Sequence, residues 1–222
     1  MNRRRSMLFA SGKIPEGWYK PKDTPAGIFV CVYKNKQIYS IEASVFNADP
    51  SSFVDIIMGI TVVTDKTRFI FSEKVLDYRT KVWDYGDVAS PSLIQGVTAA
   101  SNASGAVADY KGKENSEAIY AVLGSEGEAV AKCYEHVFLN GEKGFLPSAG
   151  QARVIYTNRA SINALLANIT GSRTIGGTIY YWTSTQVSAS NAWRVRMSDG
   201  SASSGGKKTF NYYRAIMDYP EK

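Results

Sequence analysis

The sequence predicts an α+β fold, in which strands occupy two separate regions and helices lie between them. Short apolar strands separated by polar turns are expected within residues 27–76. Apolar residues recur at helical spacing between residues 114 and 168, and residues 180–217 return to strand-like alternation. Strands and helices that are segregated along the chain in this way are typical of the α+β class.

Composition and charge exclude several classes of protein. The chain has 222 residues, of which 44% are hydrophobic and 21% are charged, as in a globular protein. No apolar run reaches the roughly 18 residues of a membrane-spanning helix, so membrane insertion is not expected. The net charge of +6 is scattered among acidic residues, which argues against nucleic acid as a partner. Two cysteines and one histidine favour neither a metal centre nor a catalytic triad, so no cofactor and no enzyme activity are expected.

Residues 1–26 are interpreted as an N-terminal arm. Arg3-Arg4-Arg5 is the one dense basic cluster, and only Met7-Leu8-Phe9-Ala10 follows it. A secretory signal needs roughly 7–15 apolar residues at that point, so we expect no signal peptide and synthesis in the cytoplasm. A frayed arm and a docking segment for an acidic partner are both consistent with this pattern.

Residues 27–76 are predicted to form a small antiparallel β region. Strands are expected at 27–33, 37–43, 55–63 and 67–71, with polar turns at Lys34-Asn35-Lys36 and Thr64-Asp65-Lys66. Irregular chain follows, and its acidic residues Asp84 and Asp87 do not match a calcium loop. They are interpreted as surface loop acids rather than as the paired carboxylates of a glycosidase.

Two helical stretches follow. The first spans 114–136, with a break expected at Gly124-Ser125-Glu126-Gly127, and it ends at His136. The position of His136 favours a helix-end residue over a catalytic base, and Cys133 is interpreted as a packed thiol. The second helix is predicted from a capping box of Ser148 and Gln151 to about residue 168.

The last strands alternate. A strand is predicted at 180–185, and in the next strand Trp193, Val195 and Met197 point to one face while Arg194, Arg196 and Ser198 point to the other. A closing strand is expected at 211–217. The stretch 201–206 is rich in serine and glycine and is interpreted as a flexible loop or as part of a contact surface.

The order of these parts from residue 115 to 217 resembles the C-type lectin-like fold. The resemblance rests on Gly144-Phe145-Leu146-Pro147-Ser148, Tyr181-Trp182-Thr183-Ser184-Thr185, Asn191-Ala192-Trp193, Asp199-Gly200 and Tyr213-Arg214-Ala215. It is closest to the branch shared by formylglycine-generating-enzyme-like domains and the variable proteins of diversity-generating retroelements in gut Bacteroides and their phages. The resemblance implies a lectin-like domain of two helices plus antiparallel strands at 77–222, preceded by the small β region.

The same resemblance implies which residues meet a ligand. Trp182, Trp193, Val195 and Met197 would form the scaffold, and outward residues of the last strands would form the contact face. The candidate ligand-binding residues are Tyr181, Thr183, Thr185, Gln186, Ser188, Ser190, Asn191, Arg194, Arg196, Ser198, Asn211 and Tyr213. Tyrosine, serine and asparagine are also the residues that antibody paratopes favour.

The chain departs from two relatives in that fold. It lacks the Glu-Pro-Asn, Gln-Pro-Asp and Trp-Asn-Asp motifs of calcium-dependent lectins, and Cys31 and Cys133 both precede the final strands, where the reactive pair of formylglycine-generating enzymes would lie. The predicted function is therefore an adhesin or receptor-binding protein, displayed on a phage particle or a bacterial surface, that binds a protein or glycan there. Its contact segment is a candidate for diversification. The alternatives are a structural decoration protein of a phage particle and a degenerate formylglycine-generating-type enzyme, and an oligomeric state is left open.

Overall fold

The computed structural model describes residues 13–74, 81–84 and 92–221, and within them the chain has an α+β fold. The predicted class is confirmed. The described strands are β1 (Trp18–Tyr19), β2 (Gly27–Lys34), β3 (Gln37–Ile41), β4 (Ile57–Val63), β5 (Arg68–Phe71), β6 (Tyr180–Gln186), β7 (Asn191–Arg196), β8 (Ala202–Gly206) and β9 (Ile216–Asp218). They form a six-stranded sheet in the order β1-β3-β2-β4-β5-β9 and a three-stranded sheet in the order β6-β7-β8. The strand ladders in both sheets are antiparallel.

The described helices lie between the two sets of strands, apart from a short one after β3. They are α1 (Ala43–Ala48), α2 (Ala103–Ala106), α3 (Gly112–Leu123), α4 (Glu128–Glu135), α5 (Ala149–Thr157) and α6 (Arg159–Leu166). The predicted break in the first helix is confirmed, because a 3-10 turn at Gly124–Glu126 separates α3 from α4. The capping box of Ser148 and Gln151 at the start of α5 is also confirmed.

The prediction of one continuous helix to residue 168 was wrong. The chain leaves the helical conformation at Asn158, where φ is −99° and ψ is 9°. The Asn158 side chain donates to the carbonyl oxygen of Val154 at 2.9 Å, and so satisfies an acceptor at the end of α5. An asparagine that bonds to nearby backbone offers the chain an alternative to the helix.

The strand predictions in the 27–76 region differ from the structure mainly at strand ends. The β2–β3 turn places Asn35 and Lys36 at φ 52° and 61°, the left-handed conformation of a tight hairpin turn. The predicted strand at 37–43 ends at Ile41, because α1 begins two residues later. The strand predicted from residue 55 starts at Ile57, because the amide of Ile56 bonds to the carbonyl of Phe53 in a turn.

The predicted closing strand at 211–217 was also wrong in extent. Only Ile216–Asp218 forms a strand, and it pairs with β5 in the large sheet. Asn211 and Tyr212 instead form isolated bridges with Lys81 and Tyr181. The chain passes from the small sheet to the large one within this segment, so it cannot continue one ladder throughout.

Arg214 stabilises this passage between the sheets. Its side chain is 2% exposed. The guanidinium donates to the carbonyl oxygens of Ser72, Glu73 and Arg173, each at 3.0 Å. It also lies 4.6 Å from the ring centre of Phe71. Burial lowers the pKa of Arg214.

One hydrophobic core joins the two segments that the sequence analysis separated at residue 76. Ile60 and Phe71 of the large sheet belong to the same cluster as Ile162 of α6 and Val195 of β7. Trp18, within the predicted arm, is 5% exposed and belongs to this cluster as well. A second cluster on the other face of the large sheet includes Phe138. The predicted arm is therefore tied to the large sheet through Trp18, while other described residues of the arm, such as Lys22 and Ala26, are exposed.

Some sequence predictions fall on residues that the structure does not describe. The basic cluster at Arg3, Arg4 and Arg5 and the acid at Asp87 lie outside the described ranges. Within those ranges, the helices are all too short or too polar to cross a lipid bilayer.

Candidate ligand-binding face

The small sheet has an inner face that packs on the core and an outer face that carries two arginines. On the inner face, Trp193, Val195 and Met197 are 5%, 0% and 2% exposed. Arg194 and Arg196 alternate with them and are half-buried. The predicted alternation of this strand is therefore confirmed.

Strand register identifies the neighbours of the two arginines. Tyr180 lies directly opposite Arg196, while Trp182 and Ser203 lie opposite Arg194 on its two sides. Opposite residues of an antiparallel pair share a face, so Trp182 is on the outer face, although it is fully buried. The indole N–H of Trp182 donates to the carbonyl of Lys81 at 2.9 Å, which satisfies its one polar group. Trp182 is thus part of the scaffold, as predicted. It lies on the outer face that carries Arg194 and Arg196, here called the arginine face, rather than on the inner face of the small sheet.

A glycine in β8 makes room for Arg194. A Cβ atom at Gly205 would lie 3.0 Å from Cδ of Arg194 and 3.1 Å from the Trp182 ring. Contacts this short would force the arginine to move. The serine- and glycine-rich stretch 201–206, interpreted from sequence as a flexible loop or as part of a contact surface, therefore contains the edge strand β8. The small residue Gly205 of that strand leaves space for the Arg194 side chain.

The two guanidinium groups are held near a single tyrosine ring. The Cζ atoms of Arg194 and Arg196 lie 4.2 Å and 5.6 Å from the centre of the Tyr180 ring, within the range of a cation–π contact. Arg194 also donates to Ser203 Oγ at 3.4 Å and to Asn211 Oδ1 at 3.3 Å. These contacts orient Arg194 and leave further N–H donors for a ligand.

Asp199 partly balances the charge of this face. Its carboxylate lies 3.6 Å from Nη1 of Arg196. Hydrogen bonds from Ser201, and then the positive charge of Arg196, lower the pKa of Asp199. Arg194, in contrast, has no described carboxylate within salt-bridge distance. Arg194 is therefore the more available of the two cations.

Three predicted contact residues of β6 are inside the protein. Thr183, Thr185 and Gln186 are fully buried. Their side chains donate to the carbonyl of Trp193 at 2.7 Å, to Oδ2 of Asp109 at 2.6 Å and to the carbonyl of Ile94 at 2.8 Å. The prediction that they face a ligand is corrected, because β6 is covered on both faces and the polar side chains of these three residues are hydrogen-bonded inside the protein.

Three further predicted contacts are buried as well. Tyr181 is 7% exposed and belongs to the main core, and Tyr213 is 4% exposed and packs in a cluster with Trp182. Asn211 is 5% exposed, and its amide oxygen accepts the hydrogen bond from Arg194. Asn211 is thus a positioning residue for the arginine rather than an exposed contact.

The remaining predicted residues lie in the two turns that flank β7. Ser188, Ser190 and Asn191 surround the β6–β7 turn, where Ser188 Oγ accepts from the Asn191 amide at 3.2 Å. Ser198 is exposed in the turn before β8. Because a strand rises about 3.3 Å per residue, Asn191 and Arg196 are roughly 16 Å apart. The exposed candidates are therefore spread along β7 and its turns, and Asn191 falls on the side of Trp193 and Val195 rather than on that of Arg194 and Arg196.

Sequence reasoning missed Tyr180 as a member of the arginine face. The prediction named Tyr181 instead, and the pairing of Tyr180 with Arg196 places Tyr180 on the outer face. It also missed Lys207, whose ammonium lies 4.3 Å from the centre of the Trp83 ring. Burial lowers the pKa of Lys207 to about 8, against an opposing effect of Asp84. Asp84 is 4% exposed, so its interpretation as a surface acid is corrected.

The groups most often used in catalysis have unfavourable surroundings here. Cys31 and Cys133 are buried free thiols, and burial raises the pKa of Cys31 to about 12 and also raises that of Cys133. His136 follows the last residue of α4, as predicted, and burial lowers its pKa to about 4. Among the described ranges, no three side chains of the metal-ligating types come together.

Comparison with known proteins gives one likeness of fold. No protein-family model matches the chain. No curated protein matches it either. Among solved structures, it is similar to a fimbrial protein from Bacteroides ovatus ATCC 8483, with a TM-score of 0.53 and 16% identity. The match covers 89% of this chain and 44% of that one, so this chain spans less than half the length of its neighbour.

Proposed function

We propose that this chain is a binding module of the adhesin type, which holds a protein or glycan ligand on the outer face of β6, β7 and β8. The observation that carries the proposal is the arginine pair stacked beside Tyr180, at 4.2 Å and 5.6 Å from its ring centre. An arginine that is already oriented loses little conformational entropy when it binds.

The chemistry of this face favours a ligand with carboxylate groups. A guanidinium offers paired N–H donors whose spacing matches the two oxygens of a carboxylate. Tyr180 adds a flat, amphipathic ring, and Ser203 adds a hydroxyl next to Arg194. Acidic protein side chains and acidic sugars both carry the group that this arrangement recognises.

The architecture supports a surface role. Helices α3 to α6 precede a three-stranded sheet that is built on the buried Trp182 and Trp193, an order consistent with a C-type lectin-like domain. The structural neighbour is a fimbrial protein, which supports display on a bacterial surface. Binding is proposed in preference to catalysis, because both thiols are buried and the one histidine has a depressed pKa.

The arginine face also supports diversification of the contact segment. Its exposed or half-exposed positions Ser190, Arg194, Arg196 and Ser198 alternate with buried scaffold positions. Changes at the former would alter specificity and leave the fold intact. Sequencing codons 178–216 in a population that carries the gene tests this. Variation at the exposed positions with Trp193 and Val195 fixed would support it, and an invariant segment would remove it.

Binding to intact bacteria tests the main proposal. Fluorescently labelled protein is applied to a panel of Bacteroides strains and measured by flow cytometry. Arg194→Ala is expected to reduce cell-associated fluorescence on strains that bind, and Arg194→Lys to restore only part of it, because lysine lacks the paired donors. Arg159→Ala is the matched control, since Arg159 is also half-buried and stacks on a tyrosine, at 5.3 Å from the Tyr156 ring.

Two results would contradict the proposal. Equal loss of binding in Arg159→Ala would mean that overall charge, not this face, attaches the protein to cells. If Arg194→Ala and the double variant Arg194→Ala, Arg196→Ala both bind cells as the wild type does, the ligand does not bind at the arginine pair. Melting temperatures of all variants are measured in parallel, so that unfolding is not mistaken for lost binding.

A further inference from the structure

A surface cleft away from the arginine face is lined by lysines. It has a volume of about 490 Å³ and lies between the 3-10 turn at Pro21–Asp23, the β2–β3 hairpin and the segment around Asn140. Lys20, Lys22 and Lys36 line it together with Tyr33 and the amides of Gln37 and Asn140. Clefts of this size hold small organic ligands in other proteins.

The charge of this cleft is uncompensated. The residues that line it include three lysines and no acid, and the acids adjacent in sequence are Asp23 and Glu221. Among the described residues, no carboxylate oxygen lies within salt-bridge distance of Lys20, Lys22 or Lys36. Three ammonium groups around one cleft repel one another, and an anion between them would relieve that repulsion.

A neighbouring cleft provides the contrast. It has a volume of about 470 Å³ and shares Asn140 and Pro220 with the first. Its lysines, Lys113 and Lys143, are accompanied by Glu117, Glu142 and Asp218. The ammonium of Lys113 lies 3.2 Å from the Asp218 carboxylate, and that carboxylate raises the pKa of Lys113. Two clefts of similar size thus differ in charge balance, and only the first is uniformly basic.

We infer that the lysine cleft binds a sulfated oligosaccharide. A lysine ammonium is a compact charge with three rotatable donors, so several lysines can bind the tetrahedral oxygens of a sulfate ester without the planar geometry that a guanidinium requires. The amides of Gln37 and Asn140 can pair with sugar hydroxyls. The half-buried ring of Tyr33 offers a flat apolar wall for the face of a sugar.

The backbone at the cleft argues against an added peptide strand as the occupant. The turn Pro21–Asp23 contacts β3, next to the short β1 that pairs with Ser40 and Ile41. The edge of β3 is thereby covered, and Pro21 has no N–H to donate to a ladder. Recognition in the cleft therefore depends on side chains, which is consistent with a sugar ligand.

This site is separate from the arginine face. Its lysines lie before and after β2, on the large sheet, and none of its lining residues belongs to β6, β7 or β8. The inference about the lysine cleft holds whether or not the arginine pair binds a ligand. The lysine-cleft inference and the proposed function can therefore be disproved independently of each other.

Calorimetric titration of the purified full chain tests the inference. The probe is a chondroitin sulfate hexasaccharide, and the comparison probes are unsulfated chondroitin hexasaccharide and inorganic sulfate. The cleft variant carries Lys20→Gln, Lys22→Gln and Lys36→Asn, the last because asparagine tolerates the positive φ at this position. The control variant carries Lys113→Gln, Lys143→Gln and Lys66→Gln, and so loses the same charge elsewhere.

The expected result is saturable binding of the sulfated hexasaccharide that weakens with added salt. The cleft variant should lose on the order of tenfold in affinity, and the control variant and Arg194→Ala about twofold or less. Each of four results would overturn the inference: no saturable binding, equal loss in the control variant, equal affinity for the unsulfated hexasaccharide, or equal affinity for inorganic sulfate. Melting temperatures of the variants establish that each is folded.

Discussion

The two sheets of this protein use their faces differently. In the large sheet, every residue of β4 is buried, and its sequence Ile-Met-Gly-Ile-Thr-Val-Val is almost wholly apolar. In the small sheet, β7 alternates between buried residues and half-buried arginines. The burial of this apolar strand therefore contributes to the stability of the fold. The half-buried positions of the small sheet's outer face, Arg194 and Arg196, are therefore expected to tolerate substitution with little loss of stability.

The contrast does not extend to every strand of the small sheet. β6 reads Tyr-Tyr-Trp-Thr-Ser-Thr-Gln, yet six of its seven residues are buried. The hydroxyls of Thr183 and Thr185 donate to the backbone of Trp193 and to Asp109 instead of to water. Within one sheet, the polar strands β6 and β8 thus differ in burial, since β6 is covered and β8 is partly exposed, and polarity alone does not distinguish them.

The largest expected effect is in the core of the large sheet. Phe71→Ala removes a ring that is 1% exposed and lies beneath the Arg214 guanidinium. We expect a loss of about 3–5 kcal/mol in the free energy of unfolding, since a cavity is left behind. Urea denaturation followed by circular dichroism measures it. Phe210→Ala is the control, because Phe210 is 63% exposed, and a comparable loss there would break the proposed difference between buried and exposed regions.

The next largest effect is the pH dependence of stability that His136 causes. His136 packs on Phe138 with ring centres 4.4 Å apart, and burial lowers its pKa from 6.5 to about 4. The unfolded chain therefore takes up a proton before the folded chain does. Above pH 6.5 the neutral His136 does not oppose folding, but as the pH falls from 6.5 to 4 its protonation in the unfolded chain lowers the free energy of unfolding by about 3 kcal/mol.

The variant His136→Gln isolates this contribution. Its free energy of unfolding should depend less on pH between 6.5 and 4 than that of the wild type. Burial raises the pKa of Glu73, which acts in the opposite direction, but it does so in both proteins and cancels in the comparison. Parallel pH profiles for the two proteins would mean that His136 is not held neutral by its surroundings.

A smaller effect separates buried polar residues from ligand contacts. Thr185→Val removes the hydroxyl that donates to Asp109 at 2.6 Å and accepts from the Ala149 amide at 2.9 Å. We expect a loss of about 1–2 kcal/mol in the free energy of unfolding, with cell binding unchanged at temperatures where the variant is folded. Thr170→Val, at an exposed position, is the control. If Thr185→Val loses cell binding but keeps its stability, Thr185 contacts the ligand and its assignment as an internal residue is wrong.

The smallest effect is expected on the outer face itself. Arg196→Ala should change the free energy of unfolding by about 0.5 kcal/mol or less, because its ion pair with Asp199 is solvent-exposed. A double-mutant cycle with Asp199→Ala measures the coupling between the two. A coupling energy above about 1 kcal/mol would make the pair structural, and the contrast between the two sheets would then be weaker than proposed.

Local features of this fold were predictable from sequence, and features made by distant residues were not. The capping box at Ser148 and the alternation around Trp193 depend on neighbours within a few positions. The burial of Thr185 depends on its hydrogen bond to Asp109, which is 76 positions away in sequence. No pattern among the neighbours of Thr185 predicts that bond. The lysine cleft likewise joins a hairpin to a turn and to a segment beyond residue 139. Composition therefore predicts a binding surface, but long-range pairing decides which of the predicted residues are exposed.

The pairing of β9 with β5 has a consequence for folding. The ladder joins Phe71 to Ile216, so the whole stretch between them, including the arginine face, is inserted between two adjacent strands of one sheet. Contacts between residues so distant in sequence require a long loop to close, and the entropy lost in closing it precedes the stabilisation that the contacts provide. Such contacts therefore slow folding. They also tie both sheets into one cooperative unit. Heat or denaturant should therefore unfold both sheets in a single transition, and the amide hydrogens of β4 and β7 should share the same slowest exchange regime.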